Sequence, residues 1–137
     1  MANTLYDNAR KLFLEASINW LSDAFKVLLI DTGSYTPSFS THLHLSDVPE
    51  AARIGTTTGI ALTGPATTGG AADANDITFP SVSGPSIEAI VIYKDTGTPG
   101  TSPLIAYMDT ATGLPITPNG GDIIVTWDNG TNKIFRL

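Results

Sequence analysis

The sequence predicts a mainly β domain, an antiparallel β-sandwich or jelly-roll-like fold with one N-terminal α-helix at about residues 4–19. Three observations predict it. Short apolar runs rich in β-branched and aromatic residues recur along the chain, each bounded by Gly, Pro, Asn or Asp. Gly (13) and Pro (9) are frequent, as a fold with many turns requires. One stretch alone carries a helical apolar stripe. The 137 residues make a single domain, 1–137, long enough to bury a core.

The helix is read from Leu5, Ala9, Leu12, Phe13, Ala16 and Trp20, which recur at helical spacing behind a Thr4-x-x-Asp7 capping signature. Leu14 falls on its polar side and is a candidate contact with another subunit. Ser22-Asp23 breaks the pattern, and FKVLLID at 25–31 reads as a strand. Residues 34–50 form an irregular excursion too long for a mere connector. Short strands are placed at 52–56 and 59–63, a flexible Gly- and Ala-rich stretch at 65–75, and a strand at 76–79.

The centre of the chain is a hairpin. IEAIVIY at 87–93 and LIAYM at 104–108 flank a loop at 95–103. Residues 110–122 are a second long loop, and IIVTW at 123–127 is a strand. Asn129-Gly130 signals a two-residue hairpin turn, with positive φ at Gly130, into a terminal strand at 133–137. The central strands are apolar on both faces, whereas an antiparallel strand with one wet face should alternate. The helix can cover part of the second face. A dimer or trimer is expected to cover the rest.

Composition narrows the function classes. The formal net charge is −6, from 13 acids and 7 dispersed bases, which disfavours direct nucleic-acid binding. Without cysteine there is no disulfide or thiolate chemistry. No apolar run approaches membrane-helix length, and residues 1–13 lack signal-peptide character, so the chain is expected to stay in the cytoplasm unless it leaves inside a larger assembly. Charged residues make up 15 %, sparse enough to suggest that a partner covers some surface.

Chemical motifs are weak. His42 and His44 lie on one side of an extended segment with Asp47 nearby, but this is a poor zinc pattern. Asp73, Asp76, Asp95, Asp109, Asp122 and Asp128 stand at strand ends, where turn hydrogen bonding explains them without calcium. Ser40 and Thr41 adjoin His42, yet no nucleophile elbow exists. Trp20 and Trp127 read as core before sugar platform. No enzyme, cofactor or metal is expected.

The stretches VIYKDTGTPGTSPLIAYMDTATGLP and TPNGGDIIVTWDNGTNKIFRL, preceded by NARKLFLEASINWLSDAFKVLLIDTGSYTPSFSTH and DANDITF, resemble a family of small virion structural proteins of tailed bacteriophages. The resemblance implies a virion component, a capsid decoration (cement) protein that binds the major capsid protein and stabilises the head shell. A tail, neck or fibre-associated subunit is the first alternative. A carbohydrate-binding β-sandwich displaying Tyr35 or Tyr107 is the second. Apolar side chains in the polar loops are the candidate partner contacts: Tyr35, Phe39, Leu43, Leu45, Leu114 and Ile116, with residues 1–3 and Leu14.

Overall fold

The computed structural model describes residues 3–111 and 113–137. Thr4–Leu5 forms β1, Asp7–Leu14 α1, Phe25–Ile30 β2, Arg53–Ile54 β3, Ile60–Ala61 β4 and Ala66–Thr68 β5. Ala71–Asp73 follows as β6, Ile77–Phe79 as β7, Ala89–Lys94 as β8, Leu104–Met108 as β9, Ile123–Val125 as β10 and Phe135–Arg136 as β11. The architecture is mainly β, sandwich-like, with antiparallel sheets and one α-helix among the described residues.

One layer is the sheet β1-β9-β8-β2-β3, with β4 pairing beside β3 on β2. Its heart is β8, β9 and β2, in the register Leu29↔Ile90↔Met108 and Val27↔Ile92↔Ala106. The other layer is built from two small sheets, β10-β7 and β11-β6-β5. Ile123 opposes Phe79, and Phe135 opposes Ala72. The connection 74–76 links β6 to β7, and 126–134 links β10 to β11. The four strands therefore run as one interrupted antiparallel ribbon.

The strands apolar on both faces are covered from within the chain. On one face the excursion 34–50 folds back: the Phe39 ring meets Tyr6 and Tyr107 edge-on at 5.3 and 5.8 Å, and Leu45 is buried. On the other lies the ribbon, where Trp20 packs between Phe25 and Phe135. Both tryptophans pin the ribbon, donating from Nε1 to Asp73 O at 2.9 Å and Asn75 O at 3.0 Å. The strand faces for which a dimer or trimer was the expected cover are buried within one chain.

Three boundaries differ from expectation, each for a physical reason. The helix spans eight residues, not 4–19. Thr4 does not cap it; β9 offers an open edge, and Thr4 and Leu5 pair there with Tyr107 and Ala106. The helix ends at Ala16, which takes φ 56° while Ser17 N donates to Leu12 O and Ala16 N to Phe13 O. This is a Schellman stop, a position that favours glycine. Ala16→Gly is expected to stabilise the protein by about 0.5–1 kcal/mol, the left-handed cost for alanine less the extra freedom glycine gains when unfolded. An unchanged or lowered denaturant midpoint would contradict that.

The stretch 65–75 is the β5–β6 hairpin, not a flexible segment; Ala and Thr pair across the positive-φ Gly69. Asn129-Gly130 is not a two-residue hairpin. β10 and β11 pair with β7 and β6 instead of each other, and Gly130 is not among the positive-φ glycines. Its N–H closes an Asx turn on Asp128 Oδ1 at 3.0 Å, as Gly33, Gly97 and Gly121 do on Asp31, Asp95 and Asn119.

Candidate partner-binding groove

The central strands of the large sheet are buried, yet an open groove lies beside the ribbon. Between β10 and β11 on one side and β1 with α1 on the other runs an open groove of about 1330 Å³. Its floor is formed by Leu29, Ile90, Ala106 and Met108 of the β2–β8–β9 face, each at most 8 % exposed. These residues alternate along their strands with those facing the excursion, so the period-2 pattern aims them here. Residues 123–128 and 132–137 line the far wall, while none of β6 or β7 does. The rim carries Leu14 (89 % exposed), Ile124 (66 %) and Leu137 (65 %). An isolated exposed leucine needs no explanation, but three large apolar side chains around one groove make it the candidate contact surface.

The groove brings together Leu14, Leu114 and Ile116 of the expected contacts. Leu114 and Ile116 are half-buried against the core, Ile116 through a β-bridge to Ile87. Tyr35, Phe39, Leu43 and Leu45 lie away from it. Tyr35 is 4 % and Leu45 3 % exposed, so both are core residues and cannot anchor a partner. Phe39 is half-buried between tyrosines, and Leu43 stands exposed beside the Leu104 N to Leu43 O bond. Of residues 1–3, Asn3 alone is described. Its side chain accepts from Asp109 N and Thr110 N and donates to Thr110 O, extending β1 along β9. Sequence reasoning missed Ile124 and Leu137. Ile124 carried a signal, as the outward residue between Ile123 and Val125 of an edge strand.

The polar candidates serve the fold. His42 Nδ1 accepts from Ser38 N at 3.1 Å and faces the Tyr35 hydroxyl at 3.0 Å, which meets the Tyr6 hydroxyl at 2.8 Å. Burial first, then the neighbouring tyrosine, pushes the Tyr6 phenol far up; burial lifts Tyr35 to about 12. Asp47 Oδ2 accepts from Leu43 N at 2.8 Å and His44 N at 3.0 Å. Among the described residues no group of three or more His, Asp or Glu is placed to hold a metal ion. Among the described residues no aromatic ring is exposed: Tyr35, Tyr107 and both tryptophans are buried, so these four rings do not form a sugar platform.

Four carboxylates are held below their ordinary range. For Asp47 the bond from His44 N is the largest cause, and for Asp95 the bond from Gly97 N, joined by Lys26 at 3.3 Å. For Asp23 and Glu88 burial pushes upward, but hydrogen bonds outweigh it, from Asn19 N and Lys94 in one case and from Ser86 and Thr32 in the other. A lowered folded pKa gives stability that is present above the unfolded value and lost as pH falls through the folded one. The melting temperature is therefore expected to be flat above about pH 5 and to fall below about pH 4. A melting temperature constant down to about pH 2 would contradict this.

No protein-family model matches the sequence, and no curated protein matches it.

Proposed function

We propose that this chain is a structural component of a tailed-phage virion, a decoration (cement) protein that binds the major capsid protein on the outside of the head and stabilises the shell without catalysis. The likeness of its central and C-terminal stretches to small phage virion proteins supplies the context. The observation that carries the mechanism is the open apolar groove, with Leu14, Ile124 and Leu137 on its rim, in a domain whose other strand faces are filled from within. One such contact is weak. Repeated over a shell it adds up, because each bound copy ties neighbouring subunits together. The central strands of the large sheet are buried within one chain, so their faces no longer supply the argument for a dimer or trimer.

The test uses heads assembled without this protein. They should release DNA sooner on heating or low-salt challenge than complete heads, and purified protein should restore resistance. Ile124→Asp, at an exposed position, should fold normally and fail to restore it. Heads equally robust with and without the protein, together with labelled protein found only at the tail, would replace this reading with the tail, neck or fibre alternative.

A further inference from the structure

We infer that the groove receives an extended polypeptide segment of the shell protein that alternates apolar and acidic residues and adds as a strand to the free edge of β10. This deepens the reading above and rests on it for the identity of the partner. The chemistry of the segment follows from four features of the groove.

The first is the edge. Among the described residues β10 has β7 as its one sheet neighbour. Because residues 123–128 line the groove and β7 does not, the unpaired side of β10 faces into it. The second is the absence of protection. Exposed edge strands are ordinarily guarded by Lys, Pro or a bulge. The run Ile123, Ile124, Val125, Thr126, Trp127 has no charge and no proline, whereas Arg136 stands in β11 and Pro65 precedes β5. A bare apolar edge beside an apolar floor is what strand addition uses: backbone hydrogen bonds supply affinity, and alternate side chains enter the pocket.

The third feature is size. At about 1330 Å³ the groove exceeds the usual ~300–1,000 Å³ of a small-molecule site, which favours a length of chain. The fourth is charge. The chain has 13 acids and 7 bases, yet Arg10, Lys133 and Arg136 line this groove and Asp128 is the acid that does. Arg10 pairs with Asp7 at 3.2 Å and Lys133 with Asp73 at 3.9 Å, but Arg136 has no ion-pair partner among the described residues. A strand laid along β10 sends every second side chain towards the apolar floor and the others outward. Acidic residues at the outward positions complement Arg136 and Arg10.

The experiment uses the isotope-labelled full chain and two short acetylated peptides, one alternating valine with glutamate, the other valine with lysine. The glutamate peptide should shift the amide signals of residues 123–127 and slow exchange of alternate β10 amides by about tenfold at saturation. Arg136→Glu should weaken it by up to about fivefold, the ceiling for a solvent-facing ion pair, and improve the lysine peptide. Equal binding of both peptides, binding of neither, or shifts confined to 34–50 would overturn the inference. So would a dimer in sedimentation that Ile124→Lys abolishes, because the occupant would then be a second copy. No particle enters this assay. If neither peptide binds while the protein still strengthens heads, the inference alone fails. A chain that binds the glutamate peptide and leaves heads no stronger removes the shell assignment instead.

Discussion

Arg53→Ala is expected to destabilise the protein by about 3–5 kcal/mol, the largest effect of any side-chain truncation considered. Arg53 is 8 % exposed, and its guanidinium sits inside the excursion that covers one face of the large sheet. Nε and Nη2 donate to Val48 O at 3.0 and 2.6 Å, Nη2 to Leu45 O at 2.9 Å and Nη1 to Thr57 O at 3.1 Å. Burial lowers its pKa, with Glu50 acting in the opposite direction, but arginine remains charged. One side chain thus ties two carbonyls of the excursion, Leu45 O and Val48 O, to Thr57 O in the turn before β4. Alanine leaves the buried Val48 O without its donor, at about 1–3 kcal/mol, leaves Leu45 O with Val48 N alone, and opens a void beneath Leu45 and Val48. Lysine should recover little, since one ammonium cannot reproduce the planar fork. A denaturant midpoint within error of wild type for Arg53→Ala would show that the excursion is held by something else.

Gly59→Ala is expected to cost about 3 kcal/mol or more, from a different cause. Gly59 has φ 76°, and a Cβ there would lie 2.3 Å from Val27 O and 2.9 Å from its carbonyl carbon. That oxygen belongs to β2 where Val27 pairs with Ile60, so it cannot yield without loosening the β2–β4 ladder. Beside it the Tyr93 hydroxyl donates to Thr58 O, holding the turn against β8. Gly97→Ala is the control. Its φ is 88° but nothing lies within 4 Å of the added Cβ, so it should show the conformational cost without the collision. Equal losses in the two variants would mean that the close approach at Gly59 is relieved elsewhere.

The large sheet was legible because its strands are long. FKVLLI, AIVIYK and LIAYM sit within a residue or two of their expected limits, and the β8–β9 hairpin spans its expected loop. These runs exceed what turn chemistry can disguise. The second layer was only partly legible. The strands 76–79 and 123–127 were expected, but Ala66–Thr68 and Ala71–Asp73 are built of residues that carry no strand signal, and they pair because β11 and the tryptophans hold them. Asn129-Gly130 misled for the opposite reason. Its local preference for a tight turn is real, but β10 and β11 find β7 and β6 first. Thr4 and Leu5 followed the helical period until the open edge of β9 claimed them.

The contact surface was half legible. Leu14 stood out because it breaks the stripe of α1. Leu114 and Ile116 stood out because they are apolar in a polar loop, and the groove takes all three. Tyr35 and Leu45 satisfy the same rule and are core residues, since a long loop over an apolar sheet is also where core residues are supplied. Arg53 looked like one dispersed base among seven. Nothing in a single sequence distinguishes a buried arginine that binds carbonyls from an exposed one.

On the proposed function, the groove between α1 and β10 is the surface by which this chain holds a phage head. An image reconstruction of complete heads, at a resolution that separates strands, tests it most directly. Many copies are expected on the outer shell, with the groove turned towards the capsid protein and one capsid strand lying along residues 123–127. Copies confined to the tail, or shell-bound copies that meet the capsid through the 34–50 face with the groove open to solvent, would contradict it.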